Sequence, residues 1–334
     1  MSSALRVLFM GTPEFAVPSL EILLKEGYNI VGVITAPDKP AGRGLQLHES
    51  AIKKFASRNN LKILQPEKLK DENFLGELQS LKPDLAVVVA FRKLPEAVWN
   101  LPRLGTFNLH GSLLPDYRGA APINWAIISG EKKTGVTTFF ITHEIDTGKI
   151  ILQEKVLIGE KETAGELHDQ LKVVGASLVL KTVLQIENGT VSITEQPMTN
   201  HFKKAPKIFT ADCRVDWKKS TEEIYNLIRG LSPYPAAFTE LNGKILKIFR
   251  AEKINRHSVP LEAGSESVIS EEMLIPPQAG QHDKLNPGKI YSDGKTFLRF
   301  ACSNGWIEAT EVQLEGKKRM TTEEFLRGHR VNQE

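Results

Sequence analysis

Short apolar runs alternate with amphipathic segments through the first half of the chain. Leu5 to Met10, Ile30 to Thr35 and Leu85 to Ala90 have the length and β-branched content of strands. Val17 to Glu26, Ser50 to Arg58 and a further stretch before Leu85 carry helical periodicity, so the pattern reads as βαβ repetition. Asp84 to Ala90 is apolar at nearly every position, as a parallel strand covered on both faces must be, which makes it a central strand. Strands are further predicted at Thr106 to Leu109, Val136 to Ile141 and Ile150 to Val156, and a long helix from Ala164 to about Asn188. Residues 1–190 therefore read as an α/β domain with a doubly wound, Rossmann-like, mostly parallel sheet.

Periodicity breaks from Val191 to about Thr210 into polar, proline-containing sequence, the composition of a linker over residues 191–210. A second, smaller domain is predicted over 211–334. It opens with a helix at Thr221 to Arg229, with Ser220 or Thr221 as cap and Ile224, Leu227 and Ile228 as its apolar stripe. Short strands follow, punctuated by Asn242-Gly243, Asn286-Pro-Gly288, Asp293-Gly294 and Asn304-Gly305, a spacing that argues for a small β-barrel. From Asn255 to Asp283 the chain is rich in Ser, Glu, Pro and Gly and reads as a long excursion from that barrel.

Composition narrows the classes. With 334 residues and 41% hydrophobic content the chain can bury two ordinary cores. The net charge of +3 is too small to diagnose a nucleic-acid protein, yet its placement is informative. The first 200 residues balance at 22 basic against 22 acidic, so the excess lies from His201 onward. There Lys203, Lys204 and Lys207, and Lys317, Lys318 and Arg319, form clusters that fit either phosphate contact or a solvated surface. Cys213 and Cys302 have no metal-ligand spacing and fit a reducing compartment. No signal sequence and no membrane-length apolar run is read, so a soluble cytoplasmic protein is expected, with no membrane partner.

The first βα turn, Gly11-Thr-Pro-Glu-Phe-Ala16, lacks the three-glycine spacing of a dinucleotide site, and no Gly-x-x-x-x-Gly-Lys loop argues for ATP. The most informative stretch runs from Thr106 to Pro122. Asn108 and His110, two apart on an extended segment, point to one face. An amide donor and an imidazole are groups that stabilise the oxyanion on an attacked carbonyl and move its protons. Asp146, in the turn after the strand ending at Ile141, is expected at the same sheet edge, where it would orient and charge-stabilise His110. Other readings remain open: a hydrogen-bonded structural histidine, a metal site of His110, His143 and Asp146, or Ser112 as nucleophile, although Ser112 lacks the Gly-x-Ser-x-Gly elbow.

Asn108-Leu-His-Gly-Ser-Leu-Leu-Pro115, Tyr117-Arg-Gly-Ala-Ala-Pro-Ile123 and Asp146-Thr-Gly148 resemble the folate-dependent formyltransferases. Phe9 to Pro18, Pro37 to Gly44, Ala205-Pro-Lys207, Asp216-Trp217 and Glu315 to Met320 extend the resemblance over nearly the whole chain, toward the branch acting on charged initiator tRNA. The resemblance implies 10-formyltetrahydrofolate as donor, tetrahydrofolate as product and the α-amine of initiator Met-tRNA as acceptor, with no metal. It implies Asn108, His110 and Asp146 as the catalytic trio, and folate contacts from Ser112, Leu113, Leu114 and Pro115, with backbone near Phe91 and Leu94 facing the pterin. It further implies tRNA contacts from Lys39 and Arg43 in the Pro37 to Leu47 loop, and from Lys203, Lys204 and Lys207. The second domain becomes an OB-like, tRNA-binding barrel, and a monomer is expected. Phe91-Arg92-Lys93 departs from the family, many of whose members have Tyr-Gly there and one residue more. A formyltransferase acting on a small amine such as a nucleotide or amino sugar, or a non-catalytic folate- or RNA-binding homologue, is the alternative.

Overall fold

A computed structural model describes residues 5–41, 46–197, 202–255 and 286–331. Its chain forms two units, one of Met1–Ile123, Lys132–Ile158 and Glu166–Lys207, the other of Asn124–Glu131, Gly159–Gly165 and Ile208–Glu334. The elements up to residue 207 are β1 (Arg6–Gly11), α1 (Val17–Lys25), β2 (Asn29–Ile34), β3 (Lys39–Ala41), β4 (Gln46–His48), α2 (Ala51–Arg58), β5 (Ile63–Leu64), α3 (Glu72–Ser80), β6 (Leu85–Val89), α4 (Glu96–Trp99), β7 (Thr106–His110), β8 (Arg118–Gly119), α5 (Pro122–Ile128), β9 (Lys133–Phe140), β10 (Ile150–Leu157), α6 (Ala164–Glu187) and β11 (Lys204–Ala205).

Local chemistry sets these boundaries. Ser50 caps α2 by accepting from the Lys53 N–H, and Asp71 caps α3 by accepting from Phe74, each at 3.0 Å. In β6 all five residues, Leu-Ala-Val-Val-Val, are buried. In β1, Val7 and Phe9 face one layer and Leu8 and Met10 the other, and all four are fully buried, so helices cover both faces. The sheet order is β10-β9-β7-β6-β1-β2-β5. β7, β6, β1, β2 and β5 run parallel, as the apolar runs predict. β9 is reversed, pairing antiparallel with both β7 and β10.

The Pro37 to Leu47 segment contains a hairpin, with β3 and β4 paired from Lys39↔His48 to Ala41↔Gln46; Arg43 lies outside the described residues. Its base is pinned by an ion pair between Lys53 and Asp38, and Gln65 donates to Asp38 at 2.9 Å. Hydrogen bonds from Lys53 and Gln65 hold the Asp38 carboxyl below its ordinary range. Between Val191 and Thr210, Thr194 bridges to Ile150, and β11 pairs parallel with β8.

In the second unit α7 (Thr221–Leu231) packs on β12 (Ala237–Leu241), β13 (Lys244–Asn255), β14 (Ile290–Ser292), β15 (Leu298–Ala301), β16 (Gly305–Leu314), β17 (Met320–Thr321) and α8 (Thr322–Gly328). The strands make a curled antiparallel half-barrel in the order β12-β13-β16-β15-β14, with β17 on β16. Ser220 is the cap of α7, its hydroxyl accepting from Glu223 N–H while the Glu223 carboxylate accepts from Ser220 N–H. α7 continues two residues past Arg229 to Leu231, which is fully buried in the core of this unit; Arg229 is itself buried and donates to Asn226 and to the Gly159 and Glu162 carbonyls. Trp217 stacks on Phe300 at 4.5 Å and donates from its indole to Thr239. Beyond Asn255, the Asn255 to Asp283 excursion lies outside the described residues.

Candidate active site

At the carboxyl end of β7, Asn108 and His110 sit in the sheet interior, flanked by β6 through Val88↔Asn108 and by β9 through His110↔Thr137. Only 6% of His110 is exposed. Its Nε2 lies 2.9 Å from the Tyr117 carbonyl oxygen. A carbonyl can only accept, so Nε2 carries a proton and, in the neutral ring, Nδ1 carries the lone pair. That Nδ1 faces Asp146 Oδ2 at 3.9 Å. Oδ2 in turn accepts from the Gly119 N–H at 3.0 Å, which fixes the carboxylate beside the ring. Asn108 is half-buried, and its amide makes no hydrogen bond with another described residue, leaving an N–H donor for a ligand.

Asp146 arrives by a route the sequence does not reveal. Because β9 runs against β7, the turn after β9 leaves beside the start of β7, where the Ile141 N–H donates to the Thr106 carbonyl at 2.8 Å. The turn then folds back, with Asp146 in the left-handed region at φ 58°. Gly148 makes the return: a Cβ there would lie 1.6 Å from the Phe140 carbonyl oxygen, so no larger residue fits.

The Gly111 to Ala121 loop borders the trio and is fixed from two sides. Thr137 Oγ1 donates to the Ser112 carbonyl at 2.6 Å and accepts from Leu114 N–H at 3.1 Å, while Gln153 donates to the Leu114 carbonyl at 2.9 Å. From the other side, Tyr117 and Ala120 N–H donate to the Lys203 and Ala205 carbonyls at 2.6 and 2.7 Å. Ser112 is fully buried and spends its hydroxyl proton on the Asp116 carbonyl at 2.6 Å, which argues against the nucleophile reading. Leu114 packs with Phe139 and Ile150. Phe91 is half-buried, Leu94 is buried in the apolar cluster of Leu8, Met10 and Val88, and Arg92 is turned to the Pro66 and Glu67 carbonyls.

His143 stands apart from the trio, edge-on to Trp99 and with Nε2 3.6 Å from Glu96 Oε1, so it does not join His110 and Asp146 as a third ligand. The side chains of Lys39, Lys203, Lys204 and Lys207 are exposed. Arg319 is committed to both oxygens of Glu311 and lies over the Phe249 ring, so its charge is already paired. Sequence reasoning missed Thr137, Gln153 and Gln196. Thr137 and Gln153 are single positions in strands, and Gln196 falls in a stretch read as linker, so periodicity carried no signal for them.

A doubly wound sheet that presents, among the described residues, an unpaired amide beside a histidine–aspartate pair holds groups suited to chemistry at a carbonyl carbon. The chain belongs to the formyl transferase family: residues 5–183 match its formyl transferase model and residues 207–330 its formyl transferase C-terminal domain model. It is similar to the methionyl-tRNA formyltransferase of Bacteroides thetaiotaomicron, 48% identical over 98% of this chain and 97% of the relative. The methionyl-tRNA formyltransferase of Flavobacterium johnsoniae is 50% identical over 97% and 96%. Among solved structures, a sugar 3N-formyl transferase in the presence of dTDP and 5-N-formyl-THF superposes with a TM-score of 0.64 at 20% identity, over 95% of this chain and 100% of that one, a likeness of fold.

Proposed function

We propose that the chain transfers the formyl group of 10-formyltetrahydrofolate to the α-amine of initiator Met-tRNA, giving N-formylmethionyl-tRNA for translation initiation. It works in the cytoplasm as a monomer. The observation that carries the chemistry is the His110 ring, tied at Nε2 to the Tyr117 carbonyl and facing Asp146 with Nδ1. The unprotonated amine attacks the formyl carbon, a C–N bond forms, and the carbonyl π electrons move onto oxygen. Asn108 donates to that oxyanion. Nδ1 accepts the proton leaving the amine, and Asp146 stabilises the imidazolium so formed. Once protonated, Nδ1 is itself a donor. On collapse the C=O is restored, the bond to N10 breaks, and N10 takes the proton from His110, releasing tetrahydrofolate.

This assigns His110 first as proton acceptor, because its other nitrogen has no free N–H to offer an oxyanion. Backbone along Ser112, Leu113, Leu114 and Pro115, and near Phe91 and Leu94, forms the folate slot, where fixed peptide groups suit a flat ring with donors and acceptors along one edge. The acceptor assignment rests on relatives 48% and 50% identical over nearly the whole chain. Lys39, Arg43, Lys203, Lys204 and Lys207 supply phosphate contacts to the tRNA, and the half-barrel unit supplies further surface. The test is mass-spectrometric detection of formylmethionine released from charged tRNA. Product that requires 10-formyltetrahydrofolate is expected; no product, or equal product without the donor, would overturn the reading.

A further inference from the structure

The turn that delivers Asp146 has little apolar anchorage. Thr142 to Ile145 are exposed, Ile145 by 58%, and within the turn Thr147 Oγ1 bonds, among the described residues, to the Thr142 hydroxyl and the Glu144 carbonyl, at 3.2 Å each. Besides the Gly119 N–H and His110 ring at the Asp146 carboxylate and the edge contact of His143 with Trp99, the turn is reached at its backbone by Gln196, itself only 8% exposed. Its Nε2 donates to the carbonyls of Asp146 at 3.0 Å and Gly148 at 2.7 Å. Its Oε1 accepts from Arg118 Nε and Nη2. Both donors and both lone pairs of the amide are therefore used, and the opposite orientation would set an oxygen against two carbonyls. Arg118 is held in turn over the Phe202 ring at 4.5 Å. Gln196 is delivered by backbone already in register, since Thr194 and Ile150 exchange hydrogen bonds at 2.8 and 2.9 Å.

We propose that Gln196 is a positioning residue for the formyl transfer: it clamps the Asp146 turn from buried structure and holds the Asp146 carboxylate beside His110. The role rests on the proposed function, for which a displaced Asp146 leaves the imidazolium without its counter-charge. Two groups already bracket the carboxylate, the Gly119 N–H and the His110 ring. They set where Oδ2 points, whereas Gln196 sets where the Asp146 backbone is. Arg118 fixes which end of the amide faces the turn.

Two variants separate this role from a general structural one. Gln196→Leu removes every bond; Gln196→Glu keeps the oxygens for Arg118, forming an ion pair there, but loses both N–H donors to the turn. A merely structural tether through Arg118 would be rescued by the glutamate. Both variants are expected to lower kcat by about 100-fold, the order expected for an ångström-scale misplacement. KM for the folate and for Met-tRNA should stay within about 3-fold, a split that a local change in uniform binding would not give. Combined with Asp146→Asn, neither should cost appreciably more than Asp146→Asn alone.

An independent readout is hydrogen exchange at the Gly119 amide, which Asp146 protects; in both variants it should quicken by about 10-fold or more as the turn loosens. If Gln196→Leu fails to fold, Gln196→Glu decides. Wild-type turnover and wild-type Gly119 protection in Gln196→Glu would overturn the proposal, as would losses that multiply with those of Asp146→Asn. Should the wild-type chain transfer no formyl group, the functional reading fails by itself, and Gly119 exchange alone decides whether Gln196 positions Asp146.

Discussion

Asn108 is the residue whose role can be isolated most cleanly, because its amide supports no other described group and its removal leaves the strand intact. Asn108→Ala should lower kcat by about 100-fold or more, the usual cost of one oxyanion donor, with little change in thermal midpoint. Undiminished turnover measured at saturating donor would remove Asn108 from the mechanism. At this scale the sequence was legible where spacing carried the information. Asn108 and His110 share a face because a strand alternates, and that is local. The carbonyl that fixes His110 comes from Tyr117, and the amide that fixes Asp146 from Gly119; both depend on how a loop closes, which no residue pattern encodes. The two cysteines behave as buried packing residues, and burial pushes the Cys302 thiol up to about 12. Cys302 should accordingly resist alkylation until the second unit unfolds, and modification of the native chain at neutral pH would contradict its burial.

Helix α7 and the turn before β15 give predictions at the scale of elements. Ser220→Ala removes one half of the capping box and should cost the second unit about 1 kcal/mol, read as a lower denaturation midpoint with an unchanged slope. In the Asp293-Gly294 turn, burial pushes the Asp293 carboxyl up. The Thr296 hydroxyl and the N–H groups of Lys295, Thr296 and Phe297 outweigh it and hold the group down at about 2, against an ordinary 3.8. A depressed folded value stabilises above the ordinary one, so this contribution is full above about pH 4 and disappears as pH falls toward 2. Asp293→Asn should flatten that part of the acid stability profile; an unchanged profile would contradict the assignment. The Ser-x-x-Glu signature and the Asp-Gly turn were both readable, since caps and turns are local chemistry. The reversal of β9 was not, because an apolar strand looks the same in either direction, and it is the reversal that sends the Asp146 turn on its return path. The hairpin of β3 and β4 was read as a loop for a related reason: three-residue strands are too short to display a period.

For the molecule as a whole, the alternation of strands and helices followed by short strands anticipated a doubly wound sheet and a small β-barrel; the second unit is a curled antiparallel half-barrel, and family models match both regions. Net charge gave little guidance to the acceptor, being small, and the lysine clusters from His201 onward that hold its excess fit a solvated surface as well as phosphate contact. The acceptor is thus the point on which the account stands, since the proposed trio would serve any amine that reaches it. Replacing Lys203, Lys204 and Lys207 by glutamate should raise KM for Met-tRNA by about 10-fold or more while leaving KM for the folate donor unchanged, as loss of phosphate contacts requires. The most direct measurement is a competition in one mixture of wild-type enzyme, 10-formyltetrahydrofolate, initiator Met-tRNA, free methionine and an amino-sugar nucleotide, with each formylated product quantified by mass. The account predicts a preference for Met-tRNA of about 1,000-fold or more in kcat/KM, the scale reached when recognition extends well beyond the reacting group. Comparable formylation of either small amine would contradict it.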